Sequence, residues 1–123
     1  MIDIFESFEK SIRSLEKILK QEKNETVRDA AIKRFELTFE LSWKSAQAFL
    51  KDQGITCRSP KETFKEAFKF GLIKGDEEWI MMLKDRNLSI HTYSEELADD
   101  MYSRIGVYLN LFSLLRDSLQ EYL

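Results

Sequence analysis

The stretch from Val27 to Gln53, VRDAAIKRFELTFELSWKSAQAFLKDQ, is the longest uninterrupted helical pattern in the chain. Ile32, Phe35, Phe39, Trp43, Ala46 and Leu50 recur three or four residues apart, which places them on one face of a helix. Leu37, Leu41 and Ala48 add a second apolar side. A helix apolar on two sides is either central or an interface, and this one reads as the central helix of a bundle. Thr26 with Asp29 resembles a capping box at its start, and Gly54 is placed to end it in the left-handed conformation.

Upstream, Ile2 to Glu22 carries Phe5, Phe8, Ile12, Leu15 and Leu19 at helical spacing, followed by the polar turn Lys23-Asn24-Glu25. Downstream, Ser59-Pro60-Lys61-Glu62 supplies an N-cap serine, a proline at the first helical position and a reciprocating glutamate. That helix runs to Gly71 and is expected to bury Phe64, Ala67 and Phe68. Lys61, Lys65 and Lys69 recur along it every fourth residue as a basic stripe. Such a stripe is either a solvated face or a phosphate-tracking surface. A fourth helix opens after Gly75-Asp76, with Asp76 as its cap, and Trp79, Ile80, Met82 and Leu83 as its apolar residues; the pair Met81-Met82 reads as core. The last runs from Thr92 to the C-terminus, with Thr92-Tyr93-Ser94-Glu95 in capping-box form. Its stripe is Leu97, Met101, Ile105, Tyr108, Phe112, Leu115, Leu119 and Tyr122. Leu109, Leu111 and Leu114 lie off the stripe, a surplus of apolar surface that a homodimer would cover.

These patterns predict an all-α, up-and-down antiparallel bundle of four to five helices, one domain over residues 1–123. The chain has 123 residues, 33% of them charged, with four glycines and one proline, which argues against a sandwich, a barrel or a disordered chain. The net charge of −3 excludes whole-molecule electrostatic binding of nucleic acid, so any such binding needs a local basic patch. The single cysteine, Cys57, excludes an intramolecular disulfide and a thiolate zinc cluster, and reads as a half-buried bystander in a loop. No apolar run reaches the ~20 residues that span a bilayer. The N-terminus lacks the pattern of a signal peptide, so a soluble cytoplasmic protein without a membrane partner is expected.

The chemistry-bearing stretch is Asp85-Arg86-Asn87-Leu88-Ser89-Ile90-His91-Thr92-Tyr93, which holds the only histidine. Asn87, Ser89 and Thr92 are weak helix formers, so the helical pattern is expected to break there. On one continuous helix Arg86 and His91 would point roughly 140° apart; a break lets them converge. Arg86 offers a fork for phosphate, and His91 titrates near neutrality without help. Cleavage of RNA by its own 2′-hydroxyl needs a base, an acid and a cation for the phosphorane charge. One histidine is few for that work, whereas a two-fold dimer with this junction on its axis gathers two histidines and two arginines. No clustered His, Cys or carboxylate ligands suggest a metal, and no cofactor is expected. Asp99-Asp100, adjacent on a helix with no Gly-Ser loop before them, do not make the chain itself a nucleotidyltransferase.

Several stretches together carry a resemblance. Arg34-Phe35-Glu36-Leu37-Thr38-Phe39-Glu40-Leu41-Ser42-Trp43-Lys44 comes first, then Ser59-Pro60 and Ala67-Phe68-Lys69-Phe70-Gly71-Leu72-Ile73. Trp79, Asp85-Arg86-Asn87 and His91-Thr92-Tyr93 follow in order. The chain resembles, over essentially its full length, the nucleotidyltransferase substrate-binding protein family within the HEPN superfamily, related to HepT toxins. The resemblance implies a dimerising helical bundle and a minimal nucleotidyltransferase partner encoded nearby. In the HepT branch it further implies a metal-independent ribonuclease of a toxin–antitoxin system, using the arginine and histidine of an Arg-x4-His-x-Tyr motif. The partner silences it by adding AMP to the motif tyrosine. Carried over, the catalytic residues are Arg86 and His91 with Asn87 beside them, and the AMP acceptor is Tyr93. The alternative is a non-catalytic subunit that binds a nucleotide or substrate in the same cleft for the transferase. A plain dimerisation bundle gives no reason for the arrangement from Arg86 to Tyr93.

Overall fold

A computed structural model describes residues 2–90 and 94–123. Five helices follow one another: α1 (Ile2–Leu19), α2 (Glu25–Asp52), α3 (Pro60–Phe70), α4 (Glu77–Ser89) and α5 (Glu95–Gln120). The fold is an all-α up-and-down bundle, as expected, with no strand among the described residues. The helix α2 packs against each of the other four, so the stretch with two apolar sides is indeed central.

Local chemistry sets the helix ends. Asn24, in extended backbone, accepts from the Val27 N–H at 2.8 Å and caps α2. The helix therefore starts earlier than a Thr26 capping box would place it, because Asn24 offers its side-chain oxygen first. At the other end Gly54 takes φ 85°, and the N–H groups of Gly54 and Ile55 return to the carbonyls of Lys51 and Leu50. Such a Schellman turn favours glycine. Gly71, at φ 93°, closes α3 in the same way, with Leu72 N–H donating to Ala67 O. Ser59 caps α3 by accepting from the Glu62 N–H. Glu62 reaches back to the N–H of Arg58 rather than to that of the cap itself. Asp76 precedes α4 in helical backbone and makes no side-chain cap bond, contrary to expectation.

The core is aromatic. Phe35 stacks on Tyr108 with ring centres 5.5 Å apart and also meets Phe112, which takes the edges of Phe8 and Trp79. Phe64 bridges Trp79 and Phe39. This seam ties all five helices, and offset or edge-on ring pairs add to their area burial. Leu37 on the second side of α2 and Tyr122 beyond α5 are exposed, and four further expected core positions are replaced by an adjacent residue. Ile18 is buried where Leu19 is only half-buried, and Ala98 is buried where Leu97 is exposed. Phe68 and Met81 are exposed while Ala67 and Met82 fill the core. Each follows from the 3.6-residue period, which shifts the buried face by one position along a long stripe. Leu114 is exposed, and Leu109 and Leu111 are half-buried. Cys57 is buried, not half-buried; its carbonyl accepts from Gln47, and burial pushes its thiol pKa upward. No helix among the described residues is long and apolar enough to cross a membrane.

Candidate functional site at the junction of the fourth and fifth helices

The helix α4 continues through Asn87 to Ser89, and α5 begins at Glu95. The expected break between segments four and five is present, but it follows Arg86 and Asn87, which remain helical. Ser94, not Thr92, caps α5, accepting from the Leu97 N–H at 3.2 Å. His91, Thr92 and Tyr93 lie outside the described residues.

The last turn of α4 is held on two sides. Asp85 faces α5: its buried carboxylate takes Arg104 Nε at 2.7 Å and Nη2 at 2.9 Å, and the Tyr108 hydroxyl also donates to it. Burial first, and then the bond to Asp85, pushes the Tyr108 phenol above its ordinary range, while the bond to Asp85 raises Arg104. Arg86 and Ser89 face α2. Arg86 Nη2 lies 3.5 Å from Glu40 Oε1, and Ser89 Oγ lies 3.0 Å from Glu36 Oε2. Glu36 and Glu40 are one turn apart, so α2 presents two carboxylates to the two polar residues ending α4. The Nε of Arg86 is buried without a hydrogen-bond partner among the described residues. Asn87 is exposed.

The start of α5 is tied to α2 by the buried Arg28, whose guanidinium reaches Glu95 at 2.6 Å, Asp29 at 3.0 Å and Asp99 at 3.2 Å. The bond to Glu95 is the main cause of its raised pKa. Lys23 pairs with Asp99 at 3.0 Å and sits over the Tyr102 ring; together with Arg28 it holds the Asp99 carboxyl below its usual range. Both flanks of the junction are thus anchored to the bundle. Between them a cleft of about 230 Å³ is bordered by Arg28, Lys33, Glu36, Ser89, Ser94 and Glu95. Cations, carboxylates and hydroxyls together give it a mixed rather than a strongly basic lining.

Of the residues expected at the site, Arg86 and Asn87 share the end of α4. Lys61, Lys65 and Lys69 line a separate shallow groove on α3 in which Glu62 and Glu66 alternate with them. Lys69 pairs with Glu66 at 3.4 Å, so one charge of that stripe is answered locally. No group of three His, Cys, Asp or Glu among the described residues could hold a metal ion. Sequence reasoning missed Glu36, Glu40, Arg28 and the Asp85–Arg104–Tyr108 cluster. Glu36, Glu40 and Asp85 stand inside the stretches that carry the family resemblance, and Glu36 with Glu40 and Arg104 with Tyr108 share an i,i+4 spacing, but neither signal says which helix each one faces.

Comparison with known proteins agrees with this fold. The family described as nucleotidyltransferase substrate binding protein like matches residues 3–121. The probable ribonuclease HepT of Haemophilus influenzae is 31% identical over 102 residues, covering 79% of this chain and 70% of that protein. A Thermus thermophilus protein of known crystal structure superposes with a TM-score of 0.85 at 36% identity, covering 91% of this chain and 98% of its own. A Haemophilus influenzae structure, described as revealing the fold of a substrate binding domain of a nucleotidyltransferase, superposes equally well. Its TM-score is 0.85 at 27% identity, with 94% of this chain and 98% of that chain covered. The chain, a HEPN-like helical bundle homologous to HepT, therefore belongs to the nucleotidyltransferase substrate-binding protein family.

Proposed function

We propose that the protein is a metal-independent endoribonuclease of a toxin–antitoxin pair, acting as a cytoplasmic homodimer and silenced by a nucleotidyltransferase partner. The observation that carries this reading is the position of Arg86. It stands on the last turn of an anchored helix, partly buried, with its Nε without a partner among the described residues, directly before the segment that holds His91. A guanidinium with donors to spare suits a phosphate that gains charge in the transition state.

In this reaction the ribose 2′-oxygen attacks the neighbouring phosphorus. The P–O2′ bond forms, the P–O5′ bond breaks, and the products are a 2′,3′-cyclic phosphate and a 5′-hydroxyl. His91 of one copy accepts the 2′-hydroxyl proton, and the imidazole of the second copy protonates the departing 5′-oxygen. Arg86 stabilises the phosphorane charge and Asn87 orients the phosphate. Lys61, Lys65 and Lys69 track the RNA backbone further out. Silencing is transfer of AMP to Tyr93: its phenolic oxygen bonds to the α-phosphorus of ATP, pyrophosphate leaves and the phenol proton is released. The partner supplies that chemistry.

The test is cleavage of single-stranded RNA in EDTA by the wild type and by Arg86→Ala, with cyclic-phosphate ends as the expected product of the wild type alone. A second reading, a non-catalytic nucleotide- or substrate-binding subunit, draws support from the family's description. It predicts a wild type inert on RNA whose nucleotide binding is lost in Arg86→Ala.

A further inference from the structure

The stretch Arg34 to Lys44 lies on α2, away from the Arg86–Tyr93 motif in sequence, and the reaction above uses none of it. The fold brings two of its residues to the site. Glu40 holds its two oxygens apart in function: Oε2 accepts from the Trp43 indole Nε1 at 3.2 Å and lies 3.9 Å from Lys44 Nζ. Oε1 faces Arg86 Nη2 at 3.5 Å. Trp43 is half-buried three residues further along the same helix, so the indole fixes the carboxylate before Arg86 meets it.

We infer that Glu40 is a positioning residue for Arg86, with Trp43 setting the carboxylate in turn. A long arginine side chain has many rotamers, and ordering it in advance removes that entropy from the step that binds phosphate. A contact at 3.5 Å orients the guanidinium without saturating it, and the Nη hydrogens not aimed at Glu40 stay available to an anion. The inference rests on the proposed role of Arg86 and adds Glu40 and Trp43 to it.

Two readouts test it: kcat and KM on a single-stranded RNA oligonucleotide, and the Arg86 Nε–Hε signal in the NMR spectrum, assigned by its loss in Arg86→Ala. Glu40→Ala is expected to lower kcat on the order of tenfold with KM little changed, because a misaimed group costs rate. It is also expected to average the Arg86 signal toward that of a free side chain. Glu40→Gln, whose amide oxygen still accepts, restores most of both, and Trp43→Phe shifts both in the direction of Glu40→Ala. If Glu40→Ala cuts RNA as fast as the wild type or faster, or leaves the Arg86 signal unmoved, the inference is overturned. A wild type inert on RNA whose Arg86 signal still depends on Glu40 overturns the ribonuclease reading and upholds the positioning.

Discussion

Asp85 on α4 and Arg104 on α5 form a bidentate ion pair, Nε to Oδ2 at 2.7 Å and Nη2 to Oδ1 at 2.9 Å, one residue before Arg86. The Asp85 side chain is 8% exposed and that of Arg104 is 41% exposed, so the carboxylate is buried while the guanidinium reaches solvent. Adjacent helical residues point about 100° apart. The turn that binds α5 through Asp85 therefore presents Arg86 to α2.

Asp85→Ala should destabilise the fold by about 2–3 kcal/mol, less than truncating one partner of a fully buried pair, because the guanidinium left behind can hydrate. Urea denaturation measures it. A loss under about 0.5 kcal/mol, the range of ordinary surface substitutions, would mean that the pair holds nothing together.

Tyr108 gives an alkaline signature. Its phenol is raised in the folded state, so its contribution is fully present below the unfolded tyrosine pKa of about 10 and is lost as pH climbs through the higher folded value. The wild type should therefore lose stability above pH ~10 more steeply than Tyr108→Phe does. Parallel curves for the two proteins would contradict the assignment.

These pairs also mark the limit of what the sequence discloses. Gly54, Gly71 and Ser59-Pro60 act on their own neighbourhood, so the chain text alone locates the helix ends they make. Asp85 with Arg104, Arg28 with Glu95 and Glu40 with Arg86 depend on which helices become neighbours, and no spacing rule in one helix reveals that. Asn24 outranked Thr26, and Ser94 outranked Thr92, where several capping residues stand close together. Phe68, Met81 and Leu97 are exposed because a three-four stripe fixes a face only to within one residue. Arg86 was legible because it belongs to a compact motif; its neighbours Glu36 and Glu40 were ordinary-looking charges on a long helix.

The lysine stripe has a salt-dependent test. Replacing Lys61, Lys65 and Lys69 together with glutamine should weaken RNA binding and reduce the slope of log K against log salt by up to about two, from three phosphate contacts on a single strand. An unchanged slope would make the stripe a solvated face answered by Glu62 and Glu66.

Silencing predicts a chemical mark. After incubation with the nucleotidyltransferase partner and ATP, peptide mass spectrometry should find adenylyl groups on the peptide containing Tyr93, and Tyr93→Phe should remain unmodified and active. Modification elsewhere, with Tyr93 bare, would contradict the acceptor assignment.

The most direct measurement of the shared site is cleavage of one RNA oligonucleotide in EDTA by the wild type, by Arg86→Ala, by His91→Ala, and by the two variants refolded together. The wild type should cut, each variant alone should be inert, and the mixture should be inert as well, because a mixed dimer brings one imidazole to a cleft that needs both a base and an acid. An inert wild type, variants that cut as well as it does, or a mixture that cuts would contradict the shared site.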